Sequence, residues 1–371
     1  MSTTAPQQVA GAPDVLDWSI KWTTAMAESA SRTAKALETY AHPPDVYVGE
    51  TPADVAWSEN KLRLLHYRPL APRKTRTPLL IVYALVNRPS ILDLQSDRSV
   101  VRRFLEAGHD VYLIDWGTPT RLDRNLTLDD YVNRYIHGAV RAIKRESGAT
   151  KVSILGYCMG GAMSAMYAAI HPEEVQALAL MAAPLDFTDD SGLLTAWARP
   201  EHFNVDALVD ALGNIPPDFL AGGFQYLKPY ENTMGKLMGL QRIADDQGAL
   251  ENFFRMEKWS NDGIPVPGET YRQYIKDLYQ HNRLARGEME IGGTRLSLAH
   301  FTMPILAITG DHDHLVPSGT TVGFVEKLPT KSKSFLRCST GHVGLSVSSR
   351  AHKEVWPKAA QWFTEHGESP A

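Results

Sequence analysis

One box constrains this chain more than any other stretch: Gly156-Tyr157-Cys158-Met159-Gly160-Gly161. The apolar run before it ends at Gly156, and a helix of small residues starts after Cys158. A chain that passes from buried strand to helix within a few residues brings its backbones very close. Side chains at positions 156 and 160 would strike the neighbouring strand and helix, so glycine is needed there. This is the strand–turn–helix pattern of a nucleophile elbow, with Cys158 where serine is usual. Such a turn holds the sulfur at the tip of a sheet and above a helix N-terminus. The dipole and free N–H groups there favour thiolate over thiol. The N–H of Met159 is the expected first oxyanion donor. The competing reading is an inert core cysteine, a common fate for this residue type.

The rest of the chain supplies a sheet for that elbow. Continuous apolar runs at 79–84, 111–115, 177–183 and 304–310 have the length and apolar character of buried parallel strands. Residues 55–57 and 62–67 read as an antiparallel pair with a turn at 58–61, and 334–338 as a last strand. Helical patterns fill 14–40, 99–107 and 351–366. Thr127 and Asp130 form a capping-box pattern ahead of another long helix. Strands alternating with helices give an α/β fold with a mostly parallel central sheet, laid out as an α/β-hydrolase. In that layout the loop after 79–84 supplies a second oxyanion donor, expected at the N–H of Val86.

Residues 185–300 break the alternation. Aromatics, Met and Pro mix there with helical patterns at 233–240, 250–258 and 270–284. An insertion this long between two strands is expected to be a helical cap over the site. The expected division is a tail and helix at 1–45, core at 46–184, cap at 185–300 and core again at 301–371. Residues 1–13 carry no pattern of regular structure. Val15, Trp18, Trp22, Met26 and Ala30 share one side of the first helix, toward either a partner or the chain's own core.

Composition narrows the function classes. A net charge of −4 with mixed signs sets up no field for nucleic acid. Two cysteines, Cys158 and Cys338, make no disulfide framework and fit a reducing cytoplasm. No apolar run is long enough to be a transmembrane segment, and no metal-ligand cluster or dinucleotide motif stands out.

Two further residues complete a triad in the chain order nucleophile, acid, histidine: Cys158, Asp313 and His342. Each follows an apolar strand, so all three are expected at one edge of the sheet. His342 would act as base toward the thiol, and Asp313 would orient it. Asp311 is the rival acid, two residues earlier. His314 is a candidate for a supporting or substrate-contacting role, or else a surface histidine. Cysteine suits a thioester substrate, because thioester exchange is nearly balanced and keeps the acyl group activated. That favours acyl transfer to an alcohol over hydrolysis.

These residues resemble the polyhydroxyalkanoate synthases. The resemblance rests on the box at 156–161, on Asp313-His314 with Val316-Pro317, and on Gly341-His342. Val48-Gly49-Glu50-Thr51-Pro52, Glu59-Asn60-Lys61-Leu62-Arg63-Leu64 and Trp259-Ser260-Asn261-Asp262-Gly263-Ile264-Pro265 resemble the short, two-subunit members of class III or the similar class IV. The resemblance covers residues 45–366. It implies polymerisation of (R)-3-hydroxyacyl-CoA with release of CoA, the acyl chain on Cys158, His342 activating the thiol, and Asp313 assisting the incoming hydroxyl through or beside His342. It also implies a second, smaller subunit, a homodimer or larger assembly, and work at the surface of a polyester granule. Coenzyme A would be substrate and product, with no cofactor or metal. The alternatives are a thioesterase or depolymerase on the same fold, and a non-catalytic granule-associated subunit.

Overall fold

The structure, a computed structural model, describes residues 15–188 and 192–369. The expectation for residues 1–13 lies outside the described residues. Eight strands form one sheet: β1 (Ala53–Glu59), β2 (Leu62–Tyr67), β3 (Leu79–Val82), β4 (Val111–Asp115), β5 (Val152–Tyr157), β6 (Val175–Met181), β9 (Ile305–Gly310) and β10 (Lys333–Cys338). β7 (Glu290–Ile291) and β8 (Thr294–Arg295) make a separate small hairpin. The sheet order is β1-β2-β4-β3-β5-β6-β9-β10. β1 and β2 are antiparallel, as are β2 and β4, and every later pairing is parallel. This is the α/β-hydrolase layout expected from the sequence.

β3, β4, β5 and β9 are buried along their whole length. Helices cover both faces of such strands, which is why they read as unbroken apolar runs rather than alternating ones. The helix Met159–Ile170 returns from the elbow directly onto β5 and β6, and its residues from 159 to 169 are all buried. Only small side chains permit so close an approach. The capping box forms as read: Asp130 accepts from the N–H and hydroxyl of Thr127 at 2.9 and 3.0 Å. A π-helical stretch, Asp130–Ile136, then runs into the α-helix His137–Ser147.

Three details depart from the sequence reading. β3 ends at Val82 rather than at 84, and the chain bends just beyond, at 85–87. The last helix is two, Ser349–Glu354 and Trp356–Glu365, with Pro357 in the first turn of the second. Proline has no N–H to continue the first helix and fits an opening turn well. The hairpin at β7–β8 turns on Gly292 and Gly293, both at positive φ.

The chain divides into two compact units. One joins residues 47–228 and 255–371 and holds the sheet. The other joins the chain up to residue 46 with 229–254. The stretch expected as a single cap, 185–300, is thus shared between the two. In the smaller unit, the first helix, Val15–Ala41, packs through Ala36 against Leu240 and Ala244. Lys35 pairs with Asp245 at 2.6 Å, and Gln241 donates to the Ser29 carbonyl at 3.1 Å. Trp18 and Trp22 stack with centroids 6.3 Å apart, and both are more than half exposed. Among the described residues, no helix is long and apolar enough to cross a membrane.

Candidate active site

Cys158 sits between β5 and the helix Met159–Ile170 with φ 55° and ψ −125°. That backbone conformation is strained for a residue with a side chain, and the surroundings must hold it. They do so by close packing. A Cβ on Gly160 would lie 2.1 Å from the Val82 carbonyl oxygen and 2.6 Å from that of Tyr83. A Cβ on Gly156 would lie 2.6 Å from Gly161 Cα, and one on Gly161 2.5 Å from Ala183 Cβ. The N–H of Cys158 donates to Met181 on the adjacent strand at 2.9 Å, which pins the turn to the sheet. Cys158 itself is only 8% exposed.

Asp313 follows β9, and His342 follows β10. These strands are parallel neighbours, and the N–H groups of Asp311 and His312 donate to Cys338 and Thr340 at 2.9 and 3.1 Å. The two loops are therefore stitched together. His342 Nδ1 donates to Asp313 Oδ2 at 2.7 Å. The other carboxylate oxygen, Oδ1, accepts from the N–H groups of Leu315 and Val316 at 2.9 and 2.8 Å. Asp311 faces elsewhere, paired with Arg337 at 3.2 Å. His314 is exposed, with no hydrogen bond to the pair.

The charge on the Cys158 sulfur also acts on the imidazole of His342. Burial alone would lower its pKa. The negative charge of Asp313, and then that of Cys158, outweighs burial and pushes it up to about 10. At neutral pH the ring is therefore held as imidazolium. Burial pushes the other thiol, Cys338, up, which keeps it protonated and unreactive.

Of the two expected oxyanion donors, Met159 directly follows the sulfur-bearing residue in the chain. Met159 is the first residue of the helix, whose opening N–H groups have no partner within the helix. Val86 lies in the bend after β3. That bend is braced by the stretch at 259–265. Trp259 donates from its indole to the Arg88 carbonyl at 2.9 Å, Asn87 donates back to the Trp259 carbonyl at 3.1 Å, and Arg88 pairs with Asp262 at 3.2 Å.

Sequence reading missed the aromatic wall of the site. Tyr157 stacks on His342 with centroids 5.1 Å apart, and its hydroxyl donates to the His342 carbonyl at 3.1 Å. Tyr83 packs on Tyr157 with ring centroids 5.6 Å apart. Burial raises the phenols of Tyr274 and Tyr279, and the charge of Cys158 adds to the effect. The position of Tyr157 beside the nucleophile was the one available signal. The others converge only in three dimensions.

Comparison with known proteins decides the family. A chain from Haloferax mediterranei named poly(3-hydroxyalkanoate) polymerase subunit PhaC is 48% identical over 343 residues, 92% of this chain and 70% of that one. The chain belongs to the poly(3-hydroxyalkanoate) polymerase family. A polymerase subunit of the same name from Allochromatium vinosum is 41% identical, over 93% of this chain and 97% of that one. Residues 77–347 match the model for the alpha/beta hydrolase fold, and residues 38–104 match that for the poly-beta-hydroxybutyrate polymerase (PhaC) N-terminus. A monoacylglycerol lipase from Paleococcus ferrophilus superposes with a TM-score of 0.51 at 15% identity, covering 81% of this chain and 99% of the lipase. At that identity the likeness concerns the fold alone. Membership makes the chain an acyltransferase of the polyester-synthase kind, and the cysteine at its elbow is the nucleophile type that thioester chemistry favours.

Proposed function

We propose that this chain is the catalytic subunit that joins (R)-3-hydroxyacyl-CoA units into polyester, short units such as 3-hydroxybutyryl among them, with release of CoA. The Cys158–His342–Asp313 line at one edge of the sheet carries the reading. The Cys158 thiolate attacks the thioester carbonyl, and the backbone N–H groups of Met159 and Val86 receive the oxyanion. The CoA thiolate leaves with the proton from His342, and the acyl group stays on sulfur as a thioester.

Acylation also resets the base. The negative charge on Cys158 is one of the causes that raise the His342 pKa. Once sulfur is acylated that charge is gone, and the ring has also given up its proton. Neutral His342 then takes the proton of the incoming 3-hydroxyl as its oxygen attacks the acyl carbonyl. An ester forms, the chain grows by one unit, and thiolate and imidazolium return. One ring is thus acid while sulfur is anionic and base while sulfur is acylated.

The proposal extends to the setting. A smaller second subunit completes the enzyme, in a homodimer or larger assembly. It works in the cytoplasm at the granule surface, and it needs no cofactor beyond the CoA carried by its substrate. His314, exposed in this structure, would contact only what approaches from outside. The test is CoA release from (R)-3-hydroxybutyryl-CoA, with and without candidate small subunits, while polymer and free acid are assayed together. CoA release matched by polymer is expected, with Cys158→Ala inactive. Stoichiometric free 3-hydroxybutyrate without polymer would make the protein a hydrolase. Polymer formation by Cys158→Ala would leave it a non-catalytic subunit.

A further inference from the structure

The nucleophile elbow demands glycine at 156 and 160, but nothing in the turn demands an aromatic ring at 157. Tyr157 has to be explained by what it touches. It is the last residue of β5 and is buried. Its ring stacks on the His342 imidazole, with centroids 5.1 Å apart and planes 26° from parallel. Its hydroxyl donates to the backbone carbonyl of the same histidine at 3.1 Å. One side chain thus meets both the ring and the main chain of His342. Tyr83 packs against Tyr157 in turn, so the phenol ring is itself held. Burial raises the Tyr157 phenol well above its ordinary pKa, which leaves the hydroxyl a neutral donor.

The topology gives such a contact a use. His342 follows β10, the edge strand, which lies three places from β5 in the sheet order. Its loop must return across the end of the sheet to reach the elbow. The bond from Nδ1 to Asp313 anchors the ring at one atom and leaves the tilt of its plane open. A stacked face fixes that tilt. It also favours a cation, because an aromatic face is the negative part of the ring quadrupole and attracts positive charge within about 6 Å of its centroid. Asp313, from the loop after β9, and Cys158, from the elbow, are the other titratable groups that act on His342. Resting on the polymerase reading above, we propose that Tyr157 is the positioning residue of His342. Its ring sets the plane of the imidazole and steadies the protonated form, and its hydroxyl fixes the loop. A single peptide bond ties that placement to the nucleophile.

The test follows the charge of His342 directly. The full chain, with isotope-labelled histidine, is titrated by NMR, and His342→Gln identifies the signal. Single-turnover CoA release from (R)-3-hydroxybutyryl-CoA is measured beside it. Tyr157→Leu and Tyr157→Met remove the ring, while Tyr157→Phe keeps the ring and loses the hydroxyl. Without the ring, the His342 midpoint is expected to fall by about one pH unit. CoA release is expected to fall roughly 10- to 100-fold with it, as the base loses its alignment. Tyr157→Phe is expected to hold the midpoint within about 0.3 unit and to lose only about two- to fivefold in rate. Circular dichroism reports that each variant is folded, and a merely structural role would not move one histidine's titration. Folded variants without the ring that keep the wild-type midpoint would overturn the proposal. So would a Phe variant whose midpoint drops as far as theirs. Wild type that releases no CoA would sink the polymerase reading, and the titration would still decide whether the ring holds the imidazolium.

Discussion

At the residue scale, the site depends on how the charge of one imidazole is set. Its raised pKa is a statement about pH. The protonated ring is present below about 10 and is lost as pH rises through that value. Acylation needs that proton for the leaving group, so CoA release should fall on the alkaline side near the same value. Asp313→Asn removes the first of the two charges that raise it. The alkaline limb should then move down toward the ordinary imidazole value of about 6.5. A pH–rate profile of the first turnover checks this, and an unmoved limb would mean that another group titrates. The glycines make a second residue-scale prediction. Gly160→Ala drives a methyl into two carbonyl oxygens of the β3 end. It should cost on the order of 1–3 kcal/mol or more in denaturant unfolding and abolish CoA release. A variant with unchanged stability would show that the turn has room.

At the scale of elements, the sheet was legible because its strands are buried on both faces. The run at 111–115 gave β4 residue for residue. The box at 156–161 carried strand end, turn and helix start in six letters. The triad was legible in outline, since each member follows a strand. The choice of Asp313 over Asp311 was not open to spacing alone. It lies in which carboxylate faces His342, with Asp311 drawn to Arg337. The hairpin β7–β8 is too short to carry a period, and the tyrosine wall comes from separate elements whose convergence no local pattern encodes. The division of 185–300 has a similar cause: the residues that tie 229–254 to the first helix, Ala36, Leu240 and Ala244, lie some 200 positions apart in the chain. This gives a prediction for the smaller unit. Deleting residues 1–41 uncovers Leu240 and Ala244, so amide hydrogen exchange should rise across 229–254 while β3, β5, β6 and β9 keep their protection. Unchanged exchange there would mean that those helices stand without the first.

At the scale of the whole molecule, the core follows a fold found also in a monoacylglycerol lipase. Fold-level likeness to a lipase says nothing of substrate. The carboxylate of Asp313 has a consequence for the whole catalytic cycle. Two backbone amides occupy one of its oxygens and the imidazole the other, and its side chain is wholly shielded from solvent. Neither oxygen is open to an arriving alcohol. On the proposed mechanism, loading a monomer and lengthening the chain therefore queue at the same nitrogen, so damage to that ring would halt both together, and neither half of the cycle could be tuned apart from the other.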